Sequence, residues 1–160
     1  MYPGTWAQAN PDKPAVIMAD TGDTLTYAEL EDRSLRLANH FRALGLEPGA
    51  HVAMIAENRM EIIEAYWAAL RSGTFITVVN QHLTPAESSY IIHDCDASVV
   101  LISAGLKTAA ELNEACADIP HRIAVGGSLP GAEDYEAVLA AASTERPDYE
   151  PRGDDMLYSS

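Results

Sequence analysis

Residues 52–79 read VAMIAENRMEIIEAYWAALRSGTFITVV. Two short, β-branched apolar runs, VAMIA (52–56) and TFITVV (74–79), flank a segment with apolar residues at helical spacing. Runs that are apolar on both faces read as strands covered on both sides, as in a parallel sheet. The same texture returns in SVVLI (98–102) and RIAV (122–125). The four runs begin at 52, 74, 98 and 122, so neighbours start 22 to 24 residues apart. That interval holds one helix and two short loops, the βαβ unit that joins parallel strands. The predicted fold class is therefore α/β: a mostly parallel sheet with helices on both faces and right-handed crossovers.

The intervening helices carry their own start and stop signals. In TYAELEDRSLRLANHFRALG (26–45), Thr26 and Glu29 form an S/T-x-x-E capping box, and Leu25 can staple onto Leu30. Leu30, Leu37, Phe41 and Leu44 recur at helical spacing, Gly45 supplies a left-handed end, and Pro48 follows. The next helix is expected from Asn58, as cap, to Gly73, with Ile63, Tyr66, Trp67 and Leu70 along its inner side. A third begins LTPAE, where Thr84 caps, Pro85 takes the first turn and Glu87 completes the box. A weaker fourth covers about 107–117, and EDYEAVLAAA (133–142) reads as a fifth.

Outside this core, AVIMADTGDTLTY (15–27) holds two β-rich runs around Thr21-Gly22-Asp23, which predicts a hairpin at the edge of the sheet. The polar segment 144–155, with two prolines, reads as a connecting loop, and MLYSS (156–160) as a last strand. Residues 1–160 are expected to form one domain.

The chain carries 24 acidic and 10 basic residues, a formal charge of −14. Such a surface repels phosphate backbones and anionic membranes, so nucleic acid is excluded as a partner. Two cysteines, Cys95 and Cys116, make no disulfide framework. The N-terminal residues show no signal-peptide pattern, and no apolar run approaches the ~20 residues of a membrane span. The expected location is the cytoplasm.

Ligands in doubly wound folds sit at the carboxyl ends of strands. Two loops there contain glycine, Ser103-Ala104-Gly105 and Gly126-Gly127-Ser128, but neither has the spacing of a nucleotide-binding fingerprint. His93-Asp94-Cys95-Asp96 contains metal-ligand types, yet consecutive residues on a helix end point apart. A solvated helix terminus with Cys95 turned inward is the expectation. His40, His51, His82 and His121 show no ligand spacing, and no nucleophile–base set can be argued from spacing. No catalytic residue and no metal ligand are assigned.

The order of motifs says more than any one of them. LTYAELEDRSLRLANHFRALGLEPGAHVAMIAEN (25–58) resembles the N-terminal region of the adenylate-forming acyl-CoA synthetases. That superfamily also holds peptide-synthetase adenylation domains and luciferases. EAYWAALRSGTFITVVNQHLTPAESSYIIHDCDASVVLIS (64–103) continues the likeness through Ala69, Gly73, Asn80, Leu83, Thr84, Glu87, Tyr90 and Asp94. Two departures are Ala50-His51, where relatives have an aspartate, and Val78-Val79-Asn80, which lacks their proline.

The resemblance implies that a Gly- and Thr-rich ATP phosphate loop follows Met156-Leu157-Tyr158, with Ser159 and Ser160 as its first two positions. Backbone N–H groups and a lysine would hold the phosphates in such a loop. It further implies that the chain is the incomplete large N-terminal domain of a ligase, inactive by itself. The parent would use ATP, magnesium and coenzyme A, with a carboxylate, of fatty type, as its other substrate. A fragment of this kind is expected to bind no cofactor and to self-associate through surfaces the remainder would cover. The alternatives are a stand-alone binding module that pairs through its last strand, or an adenylate-forming enzyme with another acceptor.

Overall fold

The structure, a computed structural model, describes residues 3–148 and the backbone at 154–155. In chain order the elements are α1 (Pro3–Ala9), β1 (Pro14–Ile17), β2 (Thr24–Thr26), α2 (Tyr27–Ala43), β3 (His51–Ile55), α3 (Met60–Ser72) and β4 (Phe75–Val79). Then come α4 (Pro85–Asp94), β5 (Ala97–Ser103), α5 (Ala109–Ala115), β6 (His121–Val125), β7 (Glu133–Asp134), α6 (Tyr135–Ala141) and β8 (Asp154–Asp155). Six strands form one sheet in the order β7-β6-β5-β3-β4-β8, and every neighbouring pair is parallel.

The alternation of the strands sorts the core into two layers. Val52, Met54, Val99, Leu101 and Ile123 face α2, α3 and α6, while Ala53, Ile55, Val100 and Ile102 face α4 and α5. Period-two side-chain direction on strands apolar throughout requires this cover on both sides. The two capping boxes form as predicted. The Thr26 side chain accepts from the Glu29 amide at 3.2 Å, and the Thr84 side chain from the Glu87 amide at 3.3 Å. Each glutamate in turn takes the amide proton of its threonine. Gly45 has φ 83°, and the Leu46 amide returns to the Phe41 carbonyl at 3.1 Å, closing α2 with a left-handed turn.

Five expectations need correction. The hairpin forms, but β1 and β2 make a separate antiparallel sheet. Thr26 is both the last residue of β2 and the cap of α2, so no connector remains to carry the hairpin to the main sheet. Helix α3 is capped by the Arg59 backbone without a side-chain bond, and Asn58 is exposed. Its buried face is Ala65, Ala68 and Ala69 with Glu64, Arg71 and Ser72, not the predicted Ile63–Leu70 stripe, which is half-buried. Small residues let α3 lie close to the sheet, Glu64 and Arg71 find partners on α2, and Ser72 donates back to the Ala69 carbonyl. The segment read as a loop to 155 turns into β8 at Asp154, alongside Phe75 and Ile76 of β4. Edge pairing uses backbone groups alone, so a polar sequence does not report it. Glu133–Asp134, read as the start of a helix, forms β7, from which the Asp134 carboxylate caps α6 by accepting the Ala137 amide at 2.8 Å.

Helix α1 carries no signal that the sequence reading used. It packs on α2. Met156–Ser160, the expected last strand, lies outside the described residues. Among the described residues no helix is long and apolar enough to cross a membrane.

Candidate ligand face at the carboxyl ends of the strands

After β3 the chain turns to α3 on one face of the sheet; after β5 it turns to α5 on the other. Adjacent strands whose connections diverge open a crevice between their carboxyl ends, where doubly wound folds bind ligands. Here the crevice is filled from within. Arg59 Nη1 donates to Ser103 Oγ at 3.1 Å and to Glu57 Oε1 at 3.2 Å. Its Nε and Nη2 grip both oxygens of Glu61, at 2.9 and 2.7 Å.

The Glu61 contact, ahead of the opposing effect of burial, holds the Arg59 guanidinium protonated more firmly than usual. Burial works to raise the Glu61 carboxyl, but Arg59 outweighs it and keeps the group below the ordinary range.

The two glycine loops flagged in the sequence serve this plug. A Cβ on Gly126, whose φ is +70°, would lie 2.4 Å from both terminal nitrogens of Arg59. A Cβ on Gly105 would lie 2.8 Å from Glu57 Oε1. The glycines leave room for these protein side chains.

Beneath α2 and α3 lies a polar layer that the sequence reading missed. Arg71 is fully buried, with its Nη2 on both oxygens of Glu31, at 2.9 and 3.0 Å. Its Nη1 donates to Ser34 Oγ and the Glu31 carbonyl, each at 3.1 Å. Glu64, 1% exposed, accepts from Arg33 Nε at 2.8 Å and from the Tyr135 hydroxyl at 2.7 Å. Burial lifts the Glu64 carboxyl and pushes the Tyr135 hydroxyl well up. The available signal was Glu64 and Arg71, seven residues apart on one helical face among alanines.

Ser89, His93 and Asp118 come together without forming a nucleophile. His93 Nε2 faces Asp118 Oδ1 at 3.0 Å, and Nδ1 lies 2.6 Å from the Ser89 carbonyl. Both ring nitrogens thus face acceptors and suit an imidazolium. Ser89 Oγ, 3.2 Å from Nδ1, donates to the Ala115 carbonyl at 3.3 Å, so no base receives its proton.

Asp118, then the Ser89 carbonyl, raise the His93 value, and His93 lowers that of Asp118. A histidine that binds its proton more tightly when folded stabilises fully below its ordinary value of 6.5 and less as pH rises through the raised folded value. The aspartate's share is lost only as pH falls through its depressed folded value. Urea midpoints of the parent chain are expected to decline on the alkaline side of pH 6.5, and His93→Gln to remove that decline; equal slopes in the two chains would refute the pairing.

The neighbouring Cys95 is buried as expected. Among the described residues no three His, Cys, Asp or Glu side chains group to hold a metal ion. Ser159 and Ser160, the expected start of the phosphate loop, lie outside the described residues.

Fold and crevice together define a doubly wound α/β scaffold whose usual ligand position is occupied by its own side chains. The chain belongs to the AMP-binding enzyme family, whose model matches residues 4–160. It is 33% identical over 151 residues to the 3-oxocholest-4-en-26-oate–CoA ligase of Rhodococcus rhodochrous, covering 89% of this chain and 27% of that one. A medium/long-chain-fatty-acid–CoA/3-oxocholest-4-en-26-oate–CoA ligase of Mycobacterium tuberculosis is 32% identical over 160 residues, covering 94% and 28%. The crystal structure of an anthranilate CoA ligase in complex with anthranoyl-AMP shares the fold, with TM-score 0.84 at 18% identity, over 99% of this chain and 30% of that one. The chain thus spans less than a third of the length of these relatives.

Proposed function

We propose that these residues are the N-terminal scaffold of an acid–thiol ligase. The carboxylate oxygen of a fatty acid attacks the α-phosphorus of ATP and pyrophosphate leaves. The thiol sulfur of coenzyme A then takes the acyl carbon, losing its proton, and AMP leaves. The observation that carries this reading is the family match, which runs through Ser159-Ser160 while the chain spans under a third of its relatives. The fatty-acid class rests on the relative whose name states it.

Among the described residues no three His, Cys, Asp or Glu side chains group together, and Arg59 holds the crevice; the reading therefore assigns the nucleotide to the loop that would begin at Ser159. What the described residues supply is a parallel sheet, with β8 laid against β4 immediately before Met156–Ser160 in sequence.

The test is the reading frame beyond the codon for Ser160, together with ATP–pyrophosphate exchange. A continuation rich in Gly and Thr and ending in lysine is expected, with exchange by the chain that includes it and none by residues 1–160 alone. Exchange by the 160-residue chain, or a frame without that loop, would overturn the proposal.

A further inference from the structure

The exposed segment after α6 is held in an unusual way. Three of its backbone carbonyls, and one in the last turn of α6, are taken by two side chains of one helix. Arg36 Nη1 donates to the carbonyls of Leu139 and Ala142, at 3.3 and 3.4 Å, while Asp32 orients Arg36 through Nε at 2.8 Å. Asn39 Nδ2 donates to the carbonyls of Ser143 and Glu145, at 2.7 and 3.0 Å.

Neither α2 side chain is adaptable. Asn39 Oδ1 accepts from Arg42 Nη1 at 2.9 Å, and Arg42 Nη2 donates to the Arg71 carbonyl at 2.7 Å. Asn39 must therefore present its NH₂ to the segment, because its oxygen is already turned to Arg42.

The next residue, Arg146, ion-pairs with Glu31, the carboxylate that also holds Arg71. Gly4 of α1 lies against this pair, where a Cβ would sit 2.7 Å from Glu31 Oε1. Arg71 stands in the last turn of α3, just before Phe75, to which Asp154 of β8 is paired. One helix end thus anchors the segment and, four residues later, offers the edge that receives β8.

Capping of α6 explains the bonds to Leu139 and Ala142. It does not explain those to Ser143 and Glu145, which lie beyond the helix.

We propose that Arg36 and Asn39 are positioning residues that clamp residues 139–145 against α2 and thereby fix where the chain joins the sheet as β8. The clamp shortens the free connection between α6 and β8, which favours the pairing of so short a strand. On the function proposed above, the ligand whose placement depends on this is the triphosphate of a nucleotide, bound just after β8.

The test is amide hydrogen exchange on the 160-residue chain. Asn39→Asp keeps the shape and removes the donor; Asn39→Gln restores a donor. Exchange at the amide of the pair Asp154–Asp155 that faces β4 should quicken about 1.6-fold in Asn39→Asp, relative to Val100 and Leu101 of the core, and recover in Asn39→Gln. Unchanged exchange at 154–155, or a change that only follows the core amides, overturns the clamp.

A second arm measures KM for ATP and kcat in the ligase that carries the chain. A raised KM at unchanged kcat in Asn39→Asp, restored in Asn39→Gln, supports both readings. Faster exchange at β8 with an unaltered KM upholds the clamp and removes its link to nucleotide binding.

Discussion

Arg71→Met is expected to lower the unfolding free energy by about 3 kcal/mol, read from the urea midpoint of the 160-residue chain. Arg71 is fully buried and donates to Glu31 through a two-pronged contact, to Ser34 and to a main-chain carbonyl. Methionine keeps the aliphatic stem but leaves the largely covered Glu31 carboxylate without its main counter-charge. An uncompensated buried charge costs several times more than a lost surface pair.

Arg146 still touches the same carboxylate, which places the effect at the lower end of the range for broken buried pairs. Pairing Arg71→Met with Glu31→Leu should restore much of the loss, because two apolar groups tolerate the site that one charge does not. A single variant within ~1 kcal/mol of the parent, or a double variant worse than the single, would contradict this account.

Gly126→Ala should cost on the order of 3 kcal/mol, and its origin can be dissected. Part is backbone: an L-residue at φ +70° costs about 1–2 kcal/mol. The remainder comes from the crevice, where the new methyl meets the Arg59 guanidinium and pushes it off Ser103 and Glu57. A double-mutant cycle separates the two. With Arg59→Ala already in place, Gly126→Ala should cost only the backbone share. Additive effects would mean that Arg59 does not fill the crevice as described.

How much of this was legible beforehand differs from element to element. The parallel strands could be read because Val, Ile and Met on both faces leave few other uses for a five-residue run. The helix starts at Thr26 and Thr84 could be read because a capping box is local: two residues, three positions apart, decide it. The hairpin was legible as a hairpin and misplaced as a sheet edge, since its turn is local and its docking is not. The stripe on α3 was misread for a related reason. Ile63, Trp67 and Leu70 look like core residues by hydropathy, yet the surface that α3 meets prefers alanines and two charges.

For the candidate site, the glycines at 105 and 126 were visible, but not what they make room for. Arg59 and Ser103, 44 positions apart, have no sequence relation to signal their contact.

By itself the sequence determined the α/β class, the βαβ rhythm, the main caps and the resemblance to a family of adenylate-forming enzymes. Each rests on side-chain periodicity or on short motifs, which a linear chain displays in full. The tertiary structure alone decided that the switch-point crevice is closed by Arg59, that the buried Arg71 meets Glu31 and that the buried Glu64 meets Tyr135. It alone decided that Asn39 and Arg36 hold the segment leading toward β8. Those depend on which helix faces meet across the sheet. A buried charge or an occupied crevice is a property of the partner brought to it, and the partner is chosen only when the chain has folded.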